Sequence, residues 1–413
     1  MLSPSSVATA LEDHGLRQPS CGELELRQAW ISPRVPLIAR YAEELHRELP
    51  VWWTVHHFGG GKLPWTYRQA LRCGLVRYLE SLDAIVMRFP RDPLLPALRL
   101  LAPDRRSELA EALSKAGLRP DLDTLRVLAH KPLRRCTVRF ETSTGESYFG
   151  KFLSPETAAA QERDYRALAR ALHAGSHRTT VAEPIALLPG LGLLVFEEVR
   201  GQSVNELLKH RYPRHLASAV GCALADLHGA AAAWGQAHTR DREVETVARW
   251  IRGATLAASP IAGSLDDAFE TLIEESRRIA PGPLLTSHRD LHDKQLLLRP
   301  GGATILDLET VCRAEPELDA ANFLAHLTLR QLQQPEVDID QAGEELLASY
   351  ARARGPLATR RLLWYRKSAL LRLACVYHFR PRWSHLTGTL CAEAISAGPS
   401  VRTPTNTLYG GIS

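Results

Sequence analysis

The chain has little lysine, almost no methionine and no paired cysteines. Among its 413 residues are seven lysines against 44 arginines, and two methionines. The seven cysteines, at 21, 73, 136, 222, 312, 375 and 391, are scattered, with no Cys-x-x-Cys pair. An odd, scattered set excludes a disulfide scaffold and points to reduced thiols in a cytoplasm. No apolar run is long enough to span a membrane. The start, Met1-Leu2-Ser3-Pro4-Ser5-Ser6, lacks the charged and apolar regions of a secretory signal. The net charge of +5 is mild, no compact basic run appears, and no stripe interleaves aromatic and basic residues. Neither nucleic acid nor a membrane is therefore expected as a partner. There is no internal repeat, and the length allows two or three domains.

What the chain does have is a dense polar stretch from His288 to Glu309. A loop carries His288, Asp290 and Gln295. An apolar run, Leu296 to Leu298, leads to a Gly301-Gly302 turn, and a second run, Ala303 to Leu306, delivers Asp307. Two short strands joined by a glycine turn bring the loop and Asp307 side by side. Transfer of a γ-phosphoryl group is mostly positioning and charge neutralisation. It needs one carboxylate to orient the attacking hydroxyl and accept its proton, a role that suits Asp290. It also needs oxygen ligands for Mg²⁺. Asp307 supplies a charged one and Gln295 a neutral one, and Glu309, two residues on along the strand face, could hold a second ion.

The pattern H-x-D-x-x-x-x-Q followed by D-x-E resembles the catalytic loop and metal strand of the aminoglycoside phosphotransferase and choline kinase superfamily, whose fold is similar to that of protein kinases. Most members carry Asn where this chain has Gln295. Maltokinases and glucosamine kinases are similar to it in using Gln, with Asp-Phe-Glu in place of Asp307-Leu308-Glu309, which favours a sugar kinase. The resemblance implies an α+β, bilobal protein-kinase-like fold with ATP and Mg²⁺ as cofactors. It also implies that His288 braces the catalytic loop.

Further parts of such a site follow in order. Segments 124–129, 137–140 and 146–153 read as an antiparallel meander with Lys151 on its third strand. Ser154-Pro155-Glu156 is a helix start, and the Ala-rich segment to about Leu172 continues it. The resemblance implies that Lys151 contacts the α- and β-phosphates while a helix glutamate holds it. Glu162 matches that partner better than Glu156, which sits in the helix's first turn. In the loop Lys131 to Cys136, Arg134 and Arg135 either reach phosphates or form a solvated basic turn. The apolar strand Leu191–Phe196 runs into Glu197-Glu198-Val199 and resembles the hinge of the superfamily, where the carbonyl of Glu197 and the N–H of Val199 would meet adenine. His228, in Leu224-Ala225-Asp226-Leu227-His228, reads as a packed helix histidine. Asp319, in Glu315–Asn322, matches a residue that supports the catalytic loop from behind.

These parts divide the chain into an N-terminal, mostly helical cap over residues 1–120, a β-meander lobe over 121–198, a helical lobe with the catalytic hairpin and acceptor site over 199–400, and a flexible tail over 401–413. Within the cap, 21–48, 65–82 and 104–117 read as helices, and Trp52–Phe58 before Gly59-Gly60-Gly61 as a packing cluster. The acceptor is a small hydroxyl compound: a sugar, an amino sugar or an antibiotic. Arg360, Arg361, Arg366, Arg372, Trp364, Tyr365, Tyr377, His378, Arg380 and Trp383 are expected to form its wall, a basic and aromatic set that disfavours polycations. Two other classes compete. One is a nucleotide-binding pseudokinase, against which Lys151, Asp290 and Asp307 all stand. The other is a metallohydrolase built on His288 and His292, but Arg289 stands where that class places a glutamate. ATP is preferred over GTP on general frequency alone, and oligomeric state is not legible.

Overall fold

Residues 21–48 are rich in Leu, Glu, Arg and Ala, yet their described part folds as strands. The computed structural model describes residues 3–30, 37–43, 50–58, 63–208, 214–232, 236–257, 259–335 and 340–396. Helix α1 (Pro4–Asp13) starts at Ser3, whose hydroxyl accepts the Ser6 N–H. Strands β1 (Leu24–Trp30), β2 (Leu37–Glu43) and β3 (Trp52–His57) then pair antiparallel. After helix α2 (Trp65–Arg72) come β4 (Arg77–Leu79) and β5 (Ala84–Arg88), giving a five-stranded sheet in the order β1-β2-β3-β5-β4. The helices expected over 21–48 and 65–82 are thus corrected: among the described residues of these ranges only Trp65–Arg72 is α-helical, with one 3-10 turn at Glu80–Leu82. The reason is burial. Nearly all of β2 and most of β3 are covered, so their backbone groups must pair across the sheet, and that need overrides helix propensity. The Trp52–Phe58 segment does pack, with Trp53 and Val55 in one core with Tyr41 and Val86. Gly59–Gly61 and the tail lie outside the described residues.

The small lobe follows the expected meander. Helix α3 (Arg106–Lys115) precedes β6 (Pro120–Lys131), β7 (Arg135–Thr142) and β8 (Ser147–Phe152), and then α4 (Pro155–Ala174), capped by Ser154. Next come β9 (Thr179–Val181), β10 (Pro184–Leu188) and β11 (Leu193–Glu197). The lobe's sheet order is β10-β11-β8-β7-β6. Leu109 and Leu113 of α3 share a core with Val138, Phe140 and Phe152, so α3 packs on this lobe rather than on the N-terminal sheet. A Cβ on Gly192 would sit 2.2 Å from the Leu153 carbonyl oxygen, so only glycine allows β11 to approach the start of α4.

The large lobe is helical. β12 (Gln202–Ser203) and α5 (Val204–Leu207) lead to α6 (Arg214–Gly229). They are followed by β13 (Ala237–His238), α7 (Arg240–Leu256), α8 (Ala262–Arg278) and β14 (Leu285–Ser287). The expected hairpin is β15 (Leu296–Arg299) and β16 (Gly302–Ile305), turning at Gly301 with φ +81. β17 (Cys312–Ala314), α9 (Glu317–Gln333), α10 (Asp340–Arg354), α11 (Thr359–His378) and α12 (Thr387–Ser396) complete it. Among the described residues no helix is long and apolar enough to cross a membrane. The architecture is bilobal, α+β and protein-kinase-like.

The N-terminal sheet rests on both lobes. The Ala29 N–H donates to the Phe379 carbonyl at 3.1 Å, and Phe379 joins the sheet's core. On the other side Arg40 stacks between Trp30 and Trp52 and donates to the His130 carbonyl. Buried Asp92 accepts the Leu133 N–H at 2.8 Å and faces His130 Nε2 at 3.1 Å.

Candidate active site

The catalytic loop is held from behind. Asp319, at the start of α9, accepts the N–H groups of His288 at 2.8 Å and Arg289 at 2.6 Å, and faces His228 Nε2 at 3.2 Å. The His288 ring donates from Nε2 to the Leu306 carbonyl at 2.9 Å, tying the loop to the residue before Asp307. Thr310 Oγ1 donates to the His288 carbonyl at 2.8 Å. Arg289 is held at φ +70, a strained conformation for a non-glycine residue. Asn322 donates to the Leu291 carbonyl at 2.9 Å and accepts from Arg372, whose Nη1 lies 3.5 Å from Asp290 Oδ1.

His292, Asp293 and His326 come close enough to ligate a cation. Asp293, however, takes Arg330 Nε at 2.8 Å and Nη2 at 3.1 Å, and accepts from Asn205. Burial would raise its carboxyl, but hydrogen bonds from His292 and Arg330 hold it far below the usual range. A cation there would sit beside a guanidinium, so the cluster is an internal brace.

The segment after β16 presents its acids to two cations. Lys151 Nζ lies 2.9 Å from Asp307 Oδ1 and 2.8 Å from Glu309 Oε1. Arg135 Nη1 bridges both, at 2.8 Å from Asp307 Oδ2 and 2.5 Å from Glu309 Oε1, while Arg134 stands 4.0 Å from Glu309. Burial would push the Asp307 carboxyl up, but Lys151 and Arg135 hold it well below its ordinary range, and Glu309 shifts the same way. Burial would lower the Lys151 ammonium, yet Tyr165, Asp307 and Glu309 keep it above its ordinary value. Asp307 itself has φ +60. Gln295 is buried beside this segment, its N–H on the His292 carbonyl and its carbonyl accepting from Leu306. Its side-chain Oε1 has no hydrogen-bond partner among the described residues. A buried amide oxygen without a partner, on a residue whose backbone is tied to the residue before Asp307, joins the Asp307 and Glu309 carboxylates as a hard-oxygen donor type that fits Mg²⁺.

A cavity of about 600 Å³ opens at Asp290. Its aromatic lining is Trp30 and Tyr67 from the N-terminal sheet domain and Trp250 from α7. Its cations are Lys131 and Arg134 from the β6–β7 loop, Arg249 from α7, Arg289 from the catalytic loop and Arg372 from α11.

A model of the "Phosphotransferase enzyme family" matches residues 124–360, more than half of the chain. The chain belongs to this family. It is a small-molecule kinase, and a requirement for ATP and a divalent metal is consistent with the family. No curated protein matches the sequence. Among solved structures, it is similar to the amicoumacin kinase hAmiN in complex with AMP-PNP, Ca²⁺ and Ami, at 14% identity and TM-score 0.52, covering 72% of this chain and 94% of that one. It is also similar to the spectinomycin phosphotransferase APH(9)-Ia in complex with ADP and spectinomycin, at 12% identity and TM-score 0.51, covering 70% and 98%. A third is the choline kinase LicA from Streptococcus pneumoniae, at 13% identity and TM-score 0.50, covering 71% and 98%.

Three expectations change in this phosphotransferase. Glu162 does not brace Lys151. It lies half-buried on the flank of α4 and pairs with Arg166 at 2.9 Å. The inward face is centred on Ala158, Gln161, Tyr165, Leu168 and Leu172; position 162 stands at its edge, and its carboxylate takes Arg166 instead of Lys151. Asp307 and Glu309 take the lysine instead. Tyr165, which sequence reasoning missed, accepts the Leu308 N–H at 3.2 Å and so pins the turn between those two acids. Its place on the apolar stripe of α4 was the available signal.

Second, most of the expected acceptor wall does not line the cavity, and its residues Trp364 and Tyr365 are core. Trp364 is 1% exposed and donates to the Leu272 carbonyl, and Tyr365 is fully buried with its hydroxyl on Glu315. Of that set only Arg372 lines the cavity at Asp290. Third, the aromatic side of that cavity comes partly from the N-terminal sheet.

The segment expected as the hinge follows β11. The Glu198 N–H donates to the Ser147 carbonyl of β8 at 3.0 Å, and β10 pairs only as far as Phe196. Alternation along an extended chain then turns the Glu197 carbonyl away from β8, past the end of β10.

Proposed function

We propose that this chain transfers the γ-phosphoryl group of ATP to a hydroxyl of a small sugar-like molecule, with Asp290 as the base. The observation that carries the reading is the position of Asp290. It lies in a cavity of drug-sized volume, bordered by three aromatic and five cationic side chains, on a loop tied through His288 to the residue before Asp307.

The acceptor oxygen attacks the γ-phosphorus, the bond from that phosphorus to the bridging oxygen of ADP breaks, and the hydroxyl proton passes to Asp290 and on to solvent. Lys151 and Arg135 meet phosphate oxygens, and the Glu197 carbonyl and Val199 N–H meet adenine. Gln295, Asp307 and Glu309 would hold Mg²⁺, which when bound supplies charge neutralisation at the phosphates. Aromatic side chains suit the apolar face of a sugar ring, whereas a polycationic aminoglycoside would meet like charge.

The test is an ADP-release screen over monosaccharides, disaccharides, amino sugars and antibiotics, with and without Mg²⁺, on wild type and Asp290→Asn. Turnover should fall by roughly 10²–10⁴-fold in the variant. Equal turnover by both proteins across the whole panel would mean that the chain is a pseudokinase.

A further inference from the structure

We infer that the acceptor carries an acid group, carboxylate or phosphate, and that Lys131, Arg249 and Arg289 form the subsite that receives it; this rests on the phosphotransfer reading above. Among the described residues, the cavity at Asp290 has five cations in its lining and a single carboxylate, Asp290 itself. The other acids of the site are already spent, since Asp307 and Glu309 are held by Lys151 and Arg135. Arg372 is partly spent as well, facing Asp290 at 3.5 Å and donating to Asn322.

Lys131, Arg249 and Arg289 differ from these. Among the described residues none of the three has a carboxylate within ion-pair distance. Glu243, which acts on Arg289 from behind, already takes His238 at 2.7 Å and Ser368 at 2.5 Å. Lys131 and Arg289 are substantially buried, and burial depresses both. Lys131 and Arg289, half-buried in the cavity wall without an ion-pair partner, carry a desolvation cost that an incoming anion relieves, and exposed Arg249 adds its charge beside them.

Phosphate binding by ATP does not account for all three. Lys151 and Arg135 serve the phosphate side, whereas Arg249 stands on α7 and Arg289 on the catalytic loop, both in the large lobe. The facing wall, with Trp30, Ile38 and Pro64, comes from residues before position 124, where the family match begins. This half of the acceptor site therefore belongs to the chain's additional domain.

The probes are D-glucuronate and D-glucose 6-phosphate, with D-glucose as the neutral counterpart and kanamycin as the polycationic one. ADP release is followed on the full chain, and binding to Asp290→Asn is measured by calorimetry. At least one acid should exceed glucose about tenfold in kcat/KM and in affinity, and kanamycin should do neither. Which acid wins identifies carboxylate or phosphate. Arg249→Gln, at an exposed position, and Lys131→Gln should each lower kcat/KM on the preferred acid about tenfold. Acids that bind no tighter than glucose, or a preference that survives both substitutions, overturn the proposal. Acids that bind Asp290→Asn tightly while wild type releases no ADP with any probe would instead overturn the phosphotransfer reading and leave the anion subsite standing.

Discussion

The backbone N–H of Arg289 donates to Oδ1 of Asp319 at 2.6 Å, so one carboxylate on α9 sets the residue immediately before Asp290. The same carboxylate takes the His288 N–H, and the strained φ of Arg289 persists because both are fixed. Asp319→Asn keeps the shape but loses the charge and one acceptor. Its kcat should fall about 10–100-fold with little change in the KM for ATP, as steady-state kinetics will show. Burial alone would raise the Asp319 carboxyl, but the hydrogen bond from His228 and the neighbouring His288 hold it below its ordinary value. Its stabilisation is therefore present above the unfolded carboxylate pKa and lost as pH falls through the lowered folded one. The variant should show a shallower acid limb in thermal unfolding, and an unchanged limb with wild-type kcat would refute this role.

Arg135 competes for the acids that would hold metal. Its Nη1 bridges Asp307 and Glu309, which Lys151 also holds. In Arg135→Ala, one of the two cations on that pair is gone. Affinity for Mn²⁺ in the absence of nucleotide, read by titration calorimetry, should rise about tenfold. Weaker binding in the variant would show that Arg135 organises the acids rather than blocking them.

Much of the site could be read from sequence because its signals are local. Ser154 and Pro155 start α4 where a capping hydroxyl and a helix-compatible proline stand together. Gly301 turns the hairpin because only a residue tolerant of positive φ fits there. The failures are failures of distance or of angle. Glu162 stands at the edge of its helix's inward face and turns to Arg166, a choice of partner that order along the chain cannot detect. Strands β1 and β2 use good helix formers, and what decides them is pairing with β3 and burial, which lie outside any local window. Trp30 and Tyr67 reach the cavity of Asp290 from more than 200 residues away, and no spacing rule connects them.

Lys131 makes the cavity pH-sensitive. Burial, with Arg134 and Arg135 adding to it, lowers its ammonium to about 8. The folded protein therefore loses this charge as pH rises through 8, and affinity for an anionic acceptor should fall above that point. A bound anion raises the value again, so binding near pH 8 should take up a proton. Calorimetry of D-glucuronate binding in two buffers of different ionisation enthalpy measures that uptake. Zero uptake at pH 8, or an identical pH profile in Lys131→Gln, would remove Lys131 from the subsite.

Trp30 is where the additional domain meets both the acceptor cavity and its own anchor. Its ring lies 4.7 Å from the Arg40 guanidinium carbon, and that guanidinium reaches the His130 carbonyl at the end of β6. Arg40 also stacks on Trp52 at 4.5 Å, so Trp30→Ala leaves the anchor one aromatic partner. The loss should fall on the cavity instead. Removing the indole face should cost about 1–2 kcal/mol of acceptor binding, roughly tenfold in acceptor KM, with kcat and the KM for ATP nearly unchanged. Circular dichroism and a thermal melt establish that the variant is folded. An acceptor KM that does not move in the folded variant would place the reacting molecule wholly against α7 and the catalytic loop, with the N-terminal sheet serving only to hold the two lobes.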